Sequence, residues 1–288
     1  MTSPRAGRRC HNYLNALHST IYFSPELGKD LADLGIGDPM AAYFLGRAAP
    51  LGPVGPGVVT ATFYGFAHEL IAQHVPHAWS LAPPEVVLAA RLRAVDATMR
   101  SFLSEETLGS PELAEAAELA LRATEGCVRP AHPLYAAHAD LVVPDSPHLA
   151  LWHAATLLRE HRGDTHFAVL VNAELDGLES LVSHSASSDG MAKEMVMTKR
   201  GWTQEDWTAA EDRLRRRRLL TAEGALTGAG LSLRRHLEKE TDRLDRHPYE
   251  HLGAAGVRRL TELGAGFTKA AAEAGAFPAP LAEFFTRG

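Results

Sequence analysis

"GWTQEDWTAAEDRLRRRRLLTAEGALTGAG", residues 201–230, is the stretch from which the fold is read. Thr203 stands before a helix with Asp206 three residues on, close to a capping box. The helix ends in the basic run Arg215 to Arg218. "LLTAEGALT" (219–227) then reads as two short strands around a Glu223-Gly224 turn. Thr227 and Gly228 open a further helix through "LSLRRHLEKETDRLDRH" (231–247). The order is helix, short hairpin, helix.

Outward from that stretch the chain reads mainly as helix. "SPELGKDLADLGI" (24–36) begins with a Ser24 cap, Pro25 at the first helical position and Glu26 in the first turn. "APPEVVLAARLRAVDATMRSFL" (82–103) is a long Ala/Leu/Arg helix opened by prolines, and "SPELAEAAELALRATEG" (110–126) stops at Gly126. Between 128 and 147 the periodicity fails and four prolines intervene, which marks a domain boundary or a covering loop. Helical pattern returns at "HLALWHAATLLREHR".

The chain has 288 residues, 45% hydrophobic and 22% charged, the composition of a folded protein with a proper core. Two cysteines, Cys10 and Cys127, exclude a disulfide scaffold and a four-cysteine zinc site and suit a reducing compartment. The basic N-terminus lacks an apolar h-region, and no run of eighteen apolar residues occurs, so neither a secretory signal nor a membrane contact is expected. The expected location is cytoplasmic.

The order of helix, basic run, Gly turn, "LTGAG" and helix resembles the winged-helix domain of MarR-type regulators over about residues 148–246. "YFSPE" (22–26), "YFLGRAAPLGPV" (43–54), "ATFYGF" (61–66) and "LWHAATLLREHRGDTH" (151–166) resemble the SalK-like helix-turn-helix family over nearly the whole chain. That resemblance implies a winged helix and imports no reaction. The expected fold is mainly α: a helical N-terminal domain (1–127), a proline-rich connector (128–147), a winged-helix domain with a small β wing (148–247) and a helical tail (248–288). A faint internal echo pairs "LHSTIYF" with "LWHAATLL" and "GDPMAAYFLGRAAPLG" with "GDTHFAVLVNAELDGL". It allows the N-terminal domain to be a degenerate winged-helix copy, with a pocket between the halves.

Candidate chemistry gathers in "LLREHRGDTHFAV" (157–169). His153, Thr156 and Glu160 stand at i, i+3 and i+7 and share one polar helix face. His161, Arg162, Asp164 and His166 read as the turn between two helices, with Asp164 capping the second. The set fits either a polar turn with a satisfied cap or a pocket for a small polar or anionic ligand. Tyr22, Glu26, Arg47 and Tyr64 are the candidate lining from the N-terminal half, with Arg47 as an anion anchor. Gly46, Ala48, Ala49 and Gly52 equally suit tight helix packing.

Fifteen histidines do not form a recognisable metal or haem motif: His138-x-Asp140 has no further ligands nearby, and His74 and His77 flank Pro76. No dinucleotide, P-loop, nucleophile-elbow or Cys-x-x-Cys signature occurs, and no metal and no cofactor is expected. Candidate DNA contacts are Lys193, Lys199, Arg200, Arg213, Arg215 and Arg216. Residues 148–246 hold 15 Lys and Arg against 16 Asp and Glu, and the helix from 203 leads with Gln204, Glu205 and Asp206, which opposes phosphate binding. Two functions stay open: a ligand-responsive DNA-binding regulator, possible as an oligomer, and a small-molecule enzyme or binding protein that reuses the winged helix as a scaffold.

Overall fold

The computed structural model describes residues 3–188, 190–278 and 282. In chain order its helices begin with α1 (Pro4–Ser19), α2 (Glu26–Ala32), α3 (Pro39–Ala48), α4 (Pro56–Phe63) and α5 (His68–Leu81). Next come α6 (Pro84–Phe102), α7 (Glu105–Leu108), α8 (Pro111–Thr124), α9 (Pro133–Ala139) and α10 (Pro147–Asn172). The last are α11 (Gly177–Ser185), α12 (Lys193–Arg200), α13 (Gln204–Arg216), α14 (Gly228–Leu244) and α15 (His247–Glu273). Proline recurs at the first helical position because its missing N–H is one the helix would leave unbonded anyway. Asp38 and Ser110, just before two of these prolines, and Ser104 before α7 accept orphan N–H groups with their side chains. Helix α2 begins one residue later than its sequence suggests, at Glu26, whose N–H donates to Ser24 Oγ at 3.3 Å.

Two compact units form, both discontinuous in sequence. Unit 1 takes the chain up to Pro53, Ala78–Asp164 and the part from Asp242 on; unit 2 takes Val54–His77 and Thr165–Thr241. The core of unit 1 is built on Leu14, Leu17, Met99, Leu113, Leu151, Leu158 and Leu260. That of unit 2 centres on Val169, Leu178, Val182, Val196, Trp207, Leu214 and Leu237. No helix among the described residues is long and apolar enough to cross a membrane.

Two local expectations are corrected. The "REHRGDTH" stretch is not a turn, because α10 runs through it unbroken from Pro147 to Asn172. A glycine within a helix costs only about 1 kcal/mol, and the buried side chains on either side of Gly163 outweigh it. Asp164 does not cap a following helix; its carboxylate accepts the Leu134 and Tyr135 N–H groups, both at 3.0 Å, at the start of α9.

The β wing is also absent: among the described residues there is no strand, only one antiparallel bridge between Leu220 and Leu226. The Thr221 N–H bonds Ala225 O at 2.8 Å, and Gly224 takes φ 85°. The segment turns back after too few residues for a ladder, and a hairpin without further strands has little to stabilise it.

The Thr203 cap does form, as a full capping box. Its Oγ accepts the Asp206 N–H at 3.1 Å, and Asp206 Oδ2 accepts the Thr203 N–H at 3.0 Å. Just before it, Gly201 ends α12 in the left-handed region at φ 76°, and a Cβ there would stand 2.6 Å from Leu70 Cβ. Strain and overlap act together, so Gly201→Ala is expected to destabilise the protein by about 2 kcal/mol. The urea midpoint measures this; a loss below about 0.5 kcal/mol, typical of neutral surface changes, would show that the turn does not need its glycine.

Candidate functional site

A small cavity of about 20 Å3 lies within unit 1. The last turn of α1 supplies His18 and the stretch after it Ile21 and Tyr22; α3 supplies Tyr43, Gly46 and Arg47; α6 supplies Arg91; α9 supplies His138; α10 supplies Trp152, Thr156 and Glu160. The i, i+4, i+8 spacing of the last three places them on one helix face. His18 stacks on Trp152 with ring centroids 4.9 Å apart and meets Tyr22 edge-on at 5.6 Å. Tyr22 in turn lies 5.5 Å from Tyr43.

The electrostatics of this wall follow from burial. Glu160 is 4% exposed, and its carboxylate accepts from Arg47 Nη2 at 3.1 Å and pairs with Arg159. Burial pushes the Glu160 carboxyl up, but Arg159 and Arg47 together outweigh it and hold the group at about 2. Arg91 is 8% exposed, and its Nη1 donates to Gly46 O at 2.8 Å and meets His138 Nε2 at 3.2 Å. Among the described residues Arg91 makes no ion pair, and burial lowers its guanidinium to about 10, still charged at neutral pH.

The imidazoles are kept neutral for the same reason. Burial, then Arg91, brings His138 to about 3 and His153 to about 4, and burial with Arg159 holds His18 well below its usual value.

Of the sequence candidates, Tyr22, Arg47, Thr156 and Glu160 meet in this cavity. His153 is buried near Arg91 and His138 without lining it. The others lie elsewhere. Glu26 pairs with Lys29 at 2.8 Å. His161 Nδ1 meets Asp245 Oδ1 at 2.7 Å, and its ring stacks on His132 at 4.2 Å. Arg162 bonds Asp242 at 2.9 Å in a charge network that also holds Arg8. Burial pushes Asp164 up to about 7 against the two N–H groups it accepts. Tyr64 and His166 belong to unit 2, where Tyr64 stacks on Phe167 at 5.0 Å and His166 Nδ1 meets Thr241 Oγ1 at 2.9 Å. Arg47, the expected anion anchor, is salt-bridged to Glu160 at 3.1 Å. Sequence reasoning missed His18, Tyr43, His138 and Trp152 as lining, and with them Arg91. Its signal was present, since it falls on the buried stripe Val87, Arg91, Ala94, Val95 and Thr98 of α6.

In unit 2, α12 and α13 are joined by three residues, Gly201-Trp202-Thr203. The turn is fixed by Trp202 Nε1 donating to Gly65 O at 3.0 Å and by the Ala67 N–H donating to Arg200 O at 2.9 Å. A family model described as a helix-turn-helix family matches residues 7–278. The chain belongs to this helix-turn-helix family. No curated protein and no solved structure matches it.

In this helix-turn-helix protein the second helix buries Trp207, Ala210 and Leu214 and exposes Gln204, Glu205, Thr208, Ala209, Asp212 and Arg216. Most of its arginines are engaged by carboxylates. Arg213 pairs with Asp176 at 2.7 Å and Glu179 at 2.9 Å, and Arg215 pairs with Asp212 at 2.8 Å and Glu211 at 3.1 Å. Lys193 lies 5.6 Å from the centre of the Trp207 ring and Arg200 4.0 Å from that of Phe66. Lys199, Arg216 and Arg218 are exposed and make no ion pair among the described residues. The described residues hold no cluster of His, Cys, Asp and Glu suited to a metal ion.

Proposed function

We propose that this protein is a ligand-responsive DNA-binding regulator, MarR-like in its helix-turn-helix, with α12 and α13 as the DNA-facing pair and unit 1 as the ligand-holding part. The observation that carries the reading is the capped α12–turn–α13 pair, in a chain that belongs to a helix-turn-helix family. Exposed Lys199, Arg216 and Arg218 are the groups available to phosphates. Arg213 and Arg215 would first have to leave their carboxylates.

Gel retardation at low salt, with fragments from the protein's own locus, tests the reading. Lys199→Ala with Arg216→Ala should weaken binding to all sequences and lower the salt slope by roughly two, about one for each phosphate no longer neutralised. Arg213→Ala should change binding little while costing stability. Absence of any retarded complex for the wild-type protein overturns the regulator.

The acidic lead of α13 favours a second reading. Glu205 and Asp212 stand on its exposed face, and unit 2 holds eleven Lys and Arg against thirteen Asp and Glu. A near-neutral face gives little of the electrostatic affinity that DNA binding needs. On this reading the protein is a ligand-binding protein or small-molecule enzyme on a helix-turn-helix scaffold, and it retards no DNA while still binding its ligand.

A further inference from the structure

The wall of the unit 1 cavity holds more positive charge than the fold balances. Arg47, Arg91 and Arg159 stand around one carboxylate, Glu160, which accepts from Arg47 at 3.1 Å and pairs with Arg159. The Arg159 side chain is 21% exposed and so partly hydrated, whereas Arg91 is 8% exposed and lies in the lining. Arg91 Nη1 donates to Gly46 O at 2.8 Å and meets His138 Nε2 at 3.2 Å, and its guanidinium carbon lies 5.5 Å from the centre of the Trp152 ring. A carbonyl, a neutral imidazole and a ring face all attract a cation. None of them carries the charge that would neutralise it.

A second observation points to the same place. His18 is 2% exposed and lines the cavity, and its Nδ1 is buried with no hydrogen-bond partner. Buried polar atoms are almost always bonded, so an orphan at a cavity wall indicates a partner supplied from outside the fold. Burial keeps this ring uncharged, and the tautomer with its proton on Nδ1 presents a donor to the cavity. The ring stacks on Trp152 with centroids 4.9 Å apart, so His18 and Arg91 border the same indole.

The space sets the size of the missing partner. About 20 Å3 holds one water molecule, which needs roughly 10–15 Å3 on the same measure, or one monatomic ion. A phosphate or an organic acid does not fit. Water would satisfy His18 and leave the charge as it is, whereas a monovalent anion answers both.

We propose that this cavity is a halide site, taking one chloride ion held by the Arg91 guanidinium and His18 Nδ1. The inference deepens the ligand role proposed for unit 1, on which it rests, and does not depend on DNA.

The test uses the full-length protein without DNA, with sodium chloride, bromide or fluoride exchanged for sodium gluconate at constant ionic strength. Holding the ionic strength removes the general screening effect, and gluconate is too large for the space. Chloride and bromide should raise Tm along a saturating curve, by about 3 °C at a tenfold excess over Kd. Fluoride, which gives up its water least readily, and gluconate should leave Tm level. Arg91→Met should abolish the response to chloride. His18→Phe keeps a ring against Trp152 and removes Nδ1, so it should weaken chloride binding about tenfold or more, the scale of one hydrogen bond to a charged group. Crystals of the wild-type protein grown in bromide should show one anomalous peak beside Arg91 and His18, a readout that decides even if Arg91→Met does not fold.

Equal Tm in chloride and gluconate, or equal responses of wild type and Arg91→Met to chloride, overturn the site. A water in place of the bromide peak overturns it as well. No halide response, with DNA retardation intact, overturns this inference and leaves the DNA-binding role standing. Halide binding without DNA retardation sinks the regulator and leaves this inference intact.

Discussion

Replacing Glu160 by Ala is expected to destabilise the protein by about 3–5 kcal/mol, the range for removing one partner of a buried ion pair. The reason lies in what remains. Glu160 is 4% exposed and is the carboxylate shared by Arg47 and Arg159, whose side chains are 11% and 21% exposed. Without it those guanidinium groups, with Arg91 nearby, repel one another in a region that water screens poorly. Removal of the side chain's apolar portion alone would account for a smaller effect, since it is two methylene groups at about 0.8 kcal/mol each. Glu160→Gln keeps the volume and removes only the charge, so it should retain most of the loss. Added salt should recover little of it, because a buried cluster lies beyond effective screening. Urea midpoints of the three proteins measure the effect. A loss below about 1 kcal/mol, the range of an exposed pair, would show that these arginines reach solvent.

The second large effect is acid sensitivity above the usual carboxylate range. His138 and His153 titrate at about 3 and about 4 in the folded protein, and burial shifts His11 and His18 in the same direction. An unfolded histidine titrates near 6.5. The unfolded chain therefore takes up protons first, so the stability these groups contribute is complete above about 6.5 and falls as pH drops toward 4 and 3. Asp164 works in the opposite sense. Burial raises it from 3.8 to about 7, so its contribution is complete below 3.8 and is lost as pH rises to 7.

Between pH 7.5 and 5 several imidazoles outweigh one carboxyl, each group contributing about 1.4 kcal/mol for every pH unit over which its folded and unfolded protonation differ. A net loss of several kcal/mol is expected, followed by a further fall below pH 4.5 as Glu160 approaches its folded value of about 2. Urea midpoints at pH 7.5, 6 and 5 test this, and His138→Gln should flatten the slope. Stability that stays level or rises on acidification would mean that the imidazoles are hydrated and the cavity wall is open.

Both predictions depend on residues of which the sequence revealed only some. His153, Thr156 and Glu160 could be recognised as one face because helical spacing is a local property of a single segment. Arg91 and His138 could not be joined to them. They come from α6 and α9, separated by 47 positions, and only packing brings Arg91 Nη1 to 3.2 Å from His138 Nε2. A site assembled from the α1 end, α3, α6, α9 and α10 leaves no pattern in any one of them.

What the sequence by itself determined is a set of helix starts, those of α6, α8 and α13 among them. A cap is settled within three residues, as between Thr203 and Asp206, and a proline's fixed φ acts on its own turn. The tertiary structure decided what competing local signals could not. Gly163 and its charged neighbours read as a turn, yet α10 continues through them because Leu158, Glu160, His161 and Asp164 are all buried and partnered in the helical register. Residues 219–227 read as a hairpin, yet a single bridge forms, since a β ladder depends on partner strands that this helical chain does not supply among the described residues. Charge followed the same division. Arg215 meets Glu211 and Asp212 one helical turn away, a spacing the sequence already contains, whereas Arg213 meets Asp176 and Glu179 only because folding brings together residues 37 and 34 positions apart.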